Sequence, residues 1–127
     1  MNKTLAITKA ISDGNRLRIL MALSDHRELC ACQITELLGV AGATVSRHLT
    51  VLNHAGLVES RKDGRWVNFC LVENPEHALI ITWLRNSLTT TTQIEADKES
   101  LGCILGQDPE DICRKQRGEA CCPVKKP

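Results

Sequence analysis

Apolar residues recur at helical spacing through the first half of the chain and then switch to alternation. Leu5, Ile7, Ala10 and Ile11 predict a short amphipathic helix over residues 3–11. Asp13-Gly14-Asn15 interrupts it with capping residues. Leu17, Ile19, Leu20, Met21 and Leu23 follow so closely that the second helix is expected to be apolar nearly all round, and so central. After the polar turn Ser24 to Arg27, residues 28–32 are expected to begin extended. A third helix over about 32–38 then turns Ile34, Leu37 and Leu38 inward, with Gly39 as its C-terminal cap. A fourth, over about 42–54, carries Val45, Leu49 and Leu52 on one face with His48 at its edge. Ala43, Arg47, Thr50 and His54 make the opposite face, flanked by Ser46 and Thr44.

Alternation begins at Leu57 and returns from Trp66 to Val72, with Lys62-Asp63-Gly64-Arg65 between. An Asp-Gly pair between alternating runs predicts a β-hairpin. Asn74 and Pro75 then read as the N-cap and first turn of a long helix with a stripe of Leu79, Ile80, Trp83, Leu84 and Leu88. The β-branched run Thr89 to Thr92 weakens helix propensity, and Gln93 to Leu101 favours helix again. Gly102, Gly106, Pro109, Gly118, Pro123 and Pro127 make residues 102–127 read as a flexible tail, after a domain spanning 1–101. The expected fold is mostly α with a β-hairpin, a winged helix-turn-helix with N- and C-terminal dimerisation helices.

Composition narrows this picture. At 127 residues the chain is one domain with a tail. Trp66, Trp83 and Phe69 are its only aromatic residues, so the core must be aliphatic. A net charge of +1 gives no global basic field, and any nucleic-acid contact must come from a local patch. No apolar run approaches the ~20 residues of a membrane span, and the N-terminus lacks a signal-peptide core. A cytoplasmic protein is expected. In that compartment seven cysteines, at 30, 32, 70, 103, 113, 121 and 122, point to metal ligation or redox chemistry before structural disulfides.

Several segments together resemble the ArsR/SmtB repressors. They are Arg16 to Leu20, Glu28-Leu29-Cys30-Ala31-Cys32, Thr44 to Leu49, His54 to Val58 and Arg61 to Val67. The Glu-Leu-Cys-x-Cys element is similar to that of the arsenic-responsive branch. The resemblance implies a homodimer, not an enzyme, that represses an arsenic-resistance operon and leaves double-stranded operator DNA when As(III) or Sb(III) binds Cys30 and Cys32. Three departures stand out. Thr35 occupies the place of that branch's frequent third cysteine. Ala41-Gly42 replaces a capping residue and a Gln at the start of the recognition helix. The tail carries four cysteines of its own. The family's alternative zinc site on the last helix is not expected, because His77 is the only histidine there.

Trivalent arsenic is soft and bonds to thiolate sulfur. Thiols at a helix N-terminus are acidified by the helix dipole and free N–H groups. Residues i and i+2 of a regular helix lie about 200° apart, whereas in an extended segment they point the same way. Capture of one ion by Cys30 and Cys32 therefore requires that the entry to the third helix be extended or unwind, and one turn of that helix is the expected switch. Cys70, Cys113, Cys121 and Cys122 are candidates for a third ligand, Cys70 also reading as plain strand packing. Cys121-Cys122 is a vicinal pair that suits a second arsenic site or a docking handle for an arsenic metallochaperone.

For DNA, Thr44, Ser46, Arg47 and Thr50 are expected on the groove-facing side of the fourth helix. His48 is a further candidate, though it reads more readily as a packed or hydrogen-bonded histidine than as a base reader. Arg61, Lys62 and Arg65 around the hairpin turn suit phosphate or minor-groove contact. His26 and His77 read as surface residues. Leu5, Ile7, Leu79, Ile80, Trp83 and Leu84 are expected to form a two-fold dimer, with a purely intramolecular core as the alternative reading of the stripe. The alternative of the same fold is a thiol redox or persulfide-sensing repressor; a direct bridge between Cys30 and Cys32 would strain a disulfide.

Overall fold

A computed structural model describes residues 1–117. The first four helices are α1 (Asn2–Ala10), α2 (Gly14–Asp25), α3 (Ala31–Leu38) and α4 (Gly42–His54). A short strand β1 (Leu29–Cys30) precedes α3, and β2 (Val58–Asp63) and β3 (Trp66–Leu71) follow α4. Three helices complete the described chain: α5 (Pro75–Leu88), α6 (Thr92–Leu105) and α7 (Pro109–Arg117). No helix among the described residues is long and apolar enough to cross a membrane.

Local chemistry accounts for the boundaries. Asp13 caps α2, its carboxylate accepting from the amides of Asn15 and Arg16 at 2.9 and 3.1 Å. Asn74 caps α5 through the Glu76 amide at 2.8 Å, with Pro75 in the first turn. Ala41, at the N-cap of α4, offers no side-chain cap. Gly39 closes α3 at φ 70°, and its amide donates to the Thr35 carbonyl at 2.9 Å.

The sheet order is β1-β3-β2, antiparallel throughout. Asp63 pairs with Trp66, so the tight turn is Gly64-Arg65 with Gly64 at φ 65°. β1 lies on the other side of β3, Leu29 opposite Phe69 and Cys30 opposite Asn68. Ile19, Leu20, Leu29, Ile34, Leu52 and Leu57 are at most 1% exposed and form the centre of the core. As expected, α4 buries Val45, Leu49 and Leu52.

Two expectations are corrected. The long C-terminal helix is two helices, α5 ending at Leu88 and α6 starting at Thr92, because the threonine run breaks the backbone ladder. The stretch expected to be a flexible tail from residue 102 is instead the end of α6 and all of α7, as far as it is described. Asp108 starts α7 by accepting from the Glu110 amide at 3.0 Å, Pro109 stands in its first turn and Glu110 and Asp111 complement its dipole. Ile112 at 0% and Cys113 at 7% exposure anchor α7 against the body.

Candidate functional site

Cys30 has three structural jobs at once. It ends β1, pairs across the sheet with Asn68, and is the N-cap of α3 with extended backbone angles, φ −84° and ψ 161°. Its amide donates to Oε1 of Gln33 at 2.9 Å, while its sulfur faces the Gln33 amide in a reciprocal capping box. Cys32 stands in the first turn of α3. Because Cys30 is extended and only Cys32 is helical, the two thiols reach one another without any unwinding. The expected sacrifice of a helical turn therefore has no geometric need.

The thiols divide one proton between them. The Cys30 thiol falls to about 6, first through the hydrogen bond from Cys32, opposed by burial, and then through the amides of Gln33 and Cys32. Cys32 is pushed up, first by its bond to Cys30, then by burial and the Cys30 charge, and further by Cys113. Cys30 thus carries the negative charge near neutral pH and Cys32 keeps its proton. Thr35 donates its hydroxyl to the Ala31 carbonyl at 2.8 Å, within its own helix. Among the described residues, no three His, Cys, Asp or Glu side chains are already gathered closely enough to hold a metal ion. Cys32 interacts with both Cys30 and Cys113.

On α4, Ser46, Arg47 and Thr50 are exposed and Thr44 is half-buried. Ser46 and Thr50 border a groove of about 560 Å³ between α4 and the hairpin, closed by Ser60, Val67 and Phe69, whereas Thr44 and Arg47 do not line it. Helix α3, a tight turn and a solvent-facing α4, followed by a two-stranded wing, form a DNA-reading module.

Residues 13–60 match the family model described as bacterial regulatory protein, arsR family. The arsenic resistance transcriptional regulator ArsR2 of Pseudomonas putida is 32% identical over 87 residues, which cover 68% of this chain and 71% of that protein. The chain belongs to the arsR family. This family is one of DNA-binding transcriptional repressors, not enzymes. The cadmium resistance regulatory protein CadC of Listeria innocua serovar 6a is 44% identical over 61 residues, covering 48% of the chain and 51% of that regulator; the chain thus matches about half of its length. A homodimeric winged helix-turn-helix DNA-binding domain from Mycobacterium bovis superimposes with a TM-score of 0.62 at 25% identity, covering 69% of this chain and 80% of that one.

The remaining candidates in this ArsR-family protein sort differently from expectation. His48 is turned inward, its side chain 13% exposed, with Nδ1 3.2 Å from Arg16 Nη1 and Nε2 3.8 Å from Asp13. It ties α4 to α2 and does not face the groove. Arg61 is held by Glu28 at 2.7 and 2.9 Å, which pulls the Glu28 carboxyl below its ordinary range. Lys62 is exposed and Arg65 half-buried beside it. Cys70 points its sulfur at Glu59 Oε2, 3.8 Å away, and lines a cleft with His77; the cleft beside Cys30 is a different one. Burial and Glu59 push its thiol up; it is its place in that other cleft that sets it apart from the Cys30–Cys32 pair. His77 is 4% exposed and not a surface residue, because α5 folds it over Gly56. Cys121 and Cys122, and with them the expected second arsenic site and chaperone handle, lie outside the described residues.

The apolar stripe expected at a dimer interface is split. Ile7 and Leu84 are in the core, Ile80 is half-buried, and Leu5, Leu79 and Trp83 are 48%, 74% and 61% exposed. Sequence reasoning missed the packing of α7 on α3. Gln116 donates to the Cys32 carbonyl at 2.8 Å and to Glu36 at 3.3 Å, and Lys115 meets Glu36 at 3.0 Å. The Asp108-Pro109-Glu110-Asp111 start of that helix was a sufficient signal.

Proposed function

We propose that the protein represses an arsenic-resistance operon and releases its operator when As(III) or Sb(III) binds the thiolates of Cys30 and Cys32. The observation that carries this reading is the position of the pair. The two sulfurs are mutually in reach at the start of α3, the supporting helix of the DNA-reading module. A thiolate-and-thiol donor set suits a soft, trivalent ion.

Two mechanical routes lead from the pair to DNA. One runs down α3 through the Gly39 turn to α4. The other runs sideways, because Cys30 is paired with Asn68 in the wing itself and Glu28, two residues earlier, holds Arg61. An ion that draws Cys30 and Cys32 together disturbs both. Swinging the repressor from 99:1 to 1:99 takes about 5.5 kcal/mol of differential binding, within the range that new metal–thiolate bonds supply.

In the bound state Ser46, Arg47 and Thr50, with Thr44 at the entrance, face base edges and phosphates of the major groove. Lys62 and Arg65 meet the backbone from the wing, while Glu28 holds Arg61 back. A homodimer built on Leu5, Leu79 and Trp83 presents two such units to half-sites about 34 Å apart. The exposure of these three large apolar side chains and the homodimeric state of the similar mycobacterial domain support it.

The test is a titration of DNA release in strong reductant with arsenite, antimonite, cadmium and zinc. Arsenite and antimonite should release wild-type protein and fail with Cys30→Ser or Cys32→Ser. Release by cadmium with none by arsenite would replace the metalloid by a divalent ion. Release only on oxidation would make the pair a redox sensor.

A further inference from the structure

We propose that Cys113 supplies the third sulfur of the inducer site, so that α7 is part of the sensor and the ligand taken is a trivalent metalloid in trigonal thiolate geometry. This rests on the reading of Cys30 and Cys32 as inducer ligands.

The geometry begins with burial. Cys113 is 7% exposed next to Ile112 at 0%, so its side chain points into the body and not to solvent. Gln116, one helical turn later and therefore on the same face, donates to the carbonyl of Cys32 at 2.8 Å. Lys115 and Gln116 both hold Glu36 one turn further along α3. The face of α7 that carries Cys113 is thus clamped across the first turns of α3. The Cys32 thiol interacts with both Cys30 and Cys113. The alternatives are elsewhere: Thr35 spends its hydroxyl on Ala31, Cys70 belongs to another cleft, and Cys103 is exposed on α6.

Access is also made by α7. A cleft of about 370 Å³ beside Cys30 is walled by Glu28, Asp63, Asp108 and Glu110. Such walls repel oxyanions and let the uncharged trihydroxide of As(III) or Sb(III) approach. The Cys30 thiolate and the thiols of Cys32 and Cys113 each displace one hydroxide from the metalloid; the two thiols protonate two of the departing hydroxides and solvent protonates the third. Three As–S bonds replace three As–O bonds, three waters leave, and arsenic stays trivalent throughout.

Closing the triangle draws Cys30 and Cys113 toward Cys32. That strains β1 away from Asn68 and tightens α7 on α3, the same two contacts through which the pair communicates with DNA. Since residues 30 and 113 are far apart in sequence, the folded chain provides the third bond at high effective concentration.

Arsenic K-edge X-ray absorption of the full, reduced chain loaded with arsenite tests this. Three sulfurs and no oxygen are expected in the wild type and in Cys121→Ser/Cys122→Ser. Two sulfurs and one oxygen are expected in Cys113→Ser, with roughly a hundred-fold more arsenite needed to release DNA. Two sulfurs plus oxygen in the wild type or in Cys121→Ser/Cys122→Ser, or three sulfurs in Cys113→Ser, overturns the assignment and leaves the Cys30–Cys32 site standing. Undiminished arsenic binding by Cys30→Ser/Cys32→Ser would instead overturn the reading on which it rests. The double serine variant of residues 121 and 122 alters no described residue, so it keeps the test decisive if Cys113→Ser does not fold.

Discussion

Glu28 grips Arg61 with both carboxylate oxygens, Nη2 at 2.7 Å and Nε at 2.9 Å. The contact joins the residue two before Cys30 to the outer strand of the wing. It also restrains a guanidinium that would otherwise be available to phosphate. Glu28→Gln should therefore free Arg61 and steepen the salt dependence of operator binding, by about 0.9 in log–log slope per added phosphate contact. Binding isotherms from low to moderate salt check this; an unchanged slope means Arg61 already serves DNA from within the pair.

The thiol pair sets a pH signature. Native Cys30 loses its proton near pH 6, while in the unfolded chain it does so only near 9. Stability from this group is therefore complete above pH 9 and is lost as pH falls toward 6. Cys32 acts oppositely: native protein keeps its proton where unfolded protein releases it, so its contribution fades above about 9. Urea unfolding in reductant should show stability rising from pH 6 toward 9. Cys30→Ser should flatten the rise. Alkylation at Cys30 itself should proceed with a rate that levels off above neutrality.

Arsenite should leave helix content unchanged. Cys30 is already extended and α3 begins only at Ala31, so binding needs no helical turn to melt. Far-ultraviolet circular dichroism before and after stoichiometric arsenite tests this, and a loss equivalent to one turn of α3 would restore the unwinding mechanism.

Arg18 and Asp97 form the most enclosed ion pair of the described chain, with side chains 17% and 8% exposed. Arg18 also donates to the Leu37 carbonyl at 3.1 Å, and Gln93 to Asp97 at 3.0 Å, so α2, α6 and the end of α3 meet there. Asp97→Ala leaves a guanidinium unpaired in the interior and should cost about 3–5 kcal/mol. Replacing both partners by Met and Leu should recover most of it in denaturant melts.

Leu79→Glu with Trp83→Glu should yield a folded monomer. Both side chains are mainly exposed in the single chain, so the core is untouched. Sedimentation should report the dissociation, and operator affinity should collapse with it, because one reading unit captures one half-site.

Much of this was legible in the residues. Helical spacing located α1 to α4 within a residue or two, except that α2 runs from Gly14 to Asp25, past both ends of its apolar run. The capping chemistry of Asp13, Gly39 and Asn74 marked the joints. The Cys30–Cys32 spacing flagged the proposed sensor, and the extended entry expected there is present as β1. What was missed depended on tertiary packing. The isolated glycines and prolines after Leu101 read as tail, but Gly102 continues α6 and Pro109 opens α7. Only the apolar docking of Ile112 and Cys113 on α3 decides that. His48 was ambiguous for the same reason: its position at the edge of the apolar face left it free to turn to DNA or to Arg16, and the buried partners decided.

The most direct measurement concerns both α3 thiols together. Take Cys30→Ser/Cys32→Ser in an otherwise complete chain and follow a labelled operator by fluorescence anisotropy as arsenite is added. The account predicts normal operator binding and no release at arsenite concentrations that fully dissociate the wild type. Dissociation at the wild-type arsenite concentration would contradict it and move the sensor elsewhere in the chain.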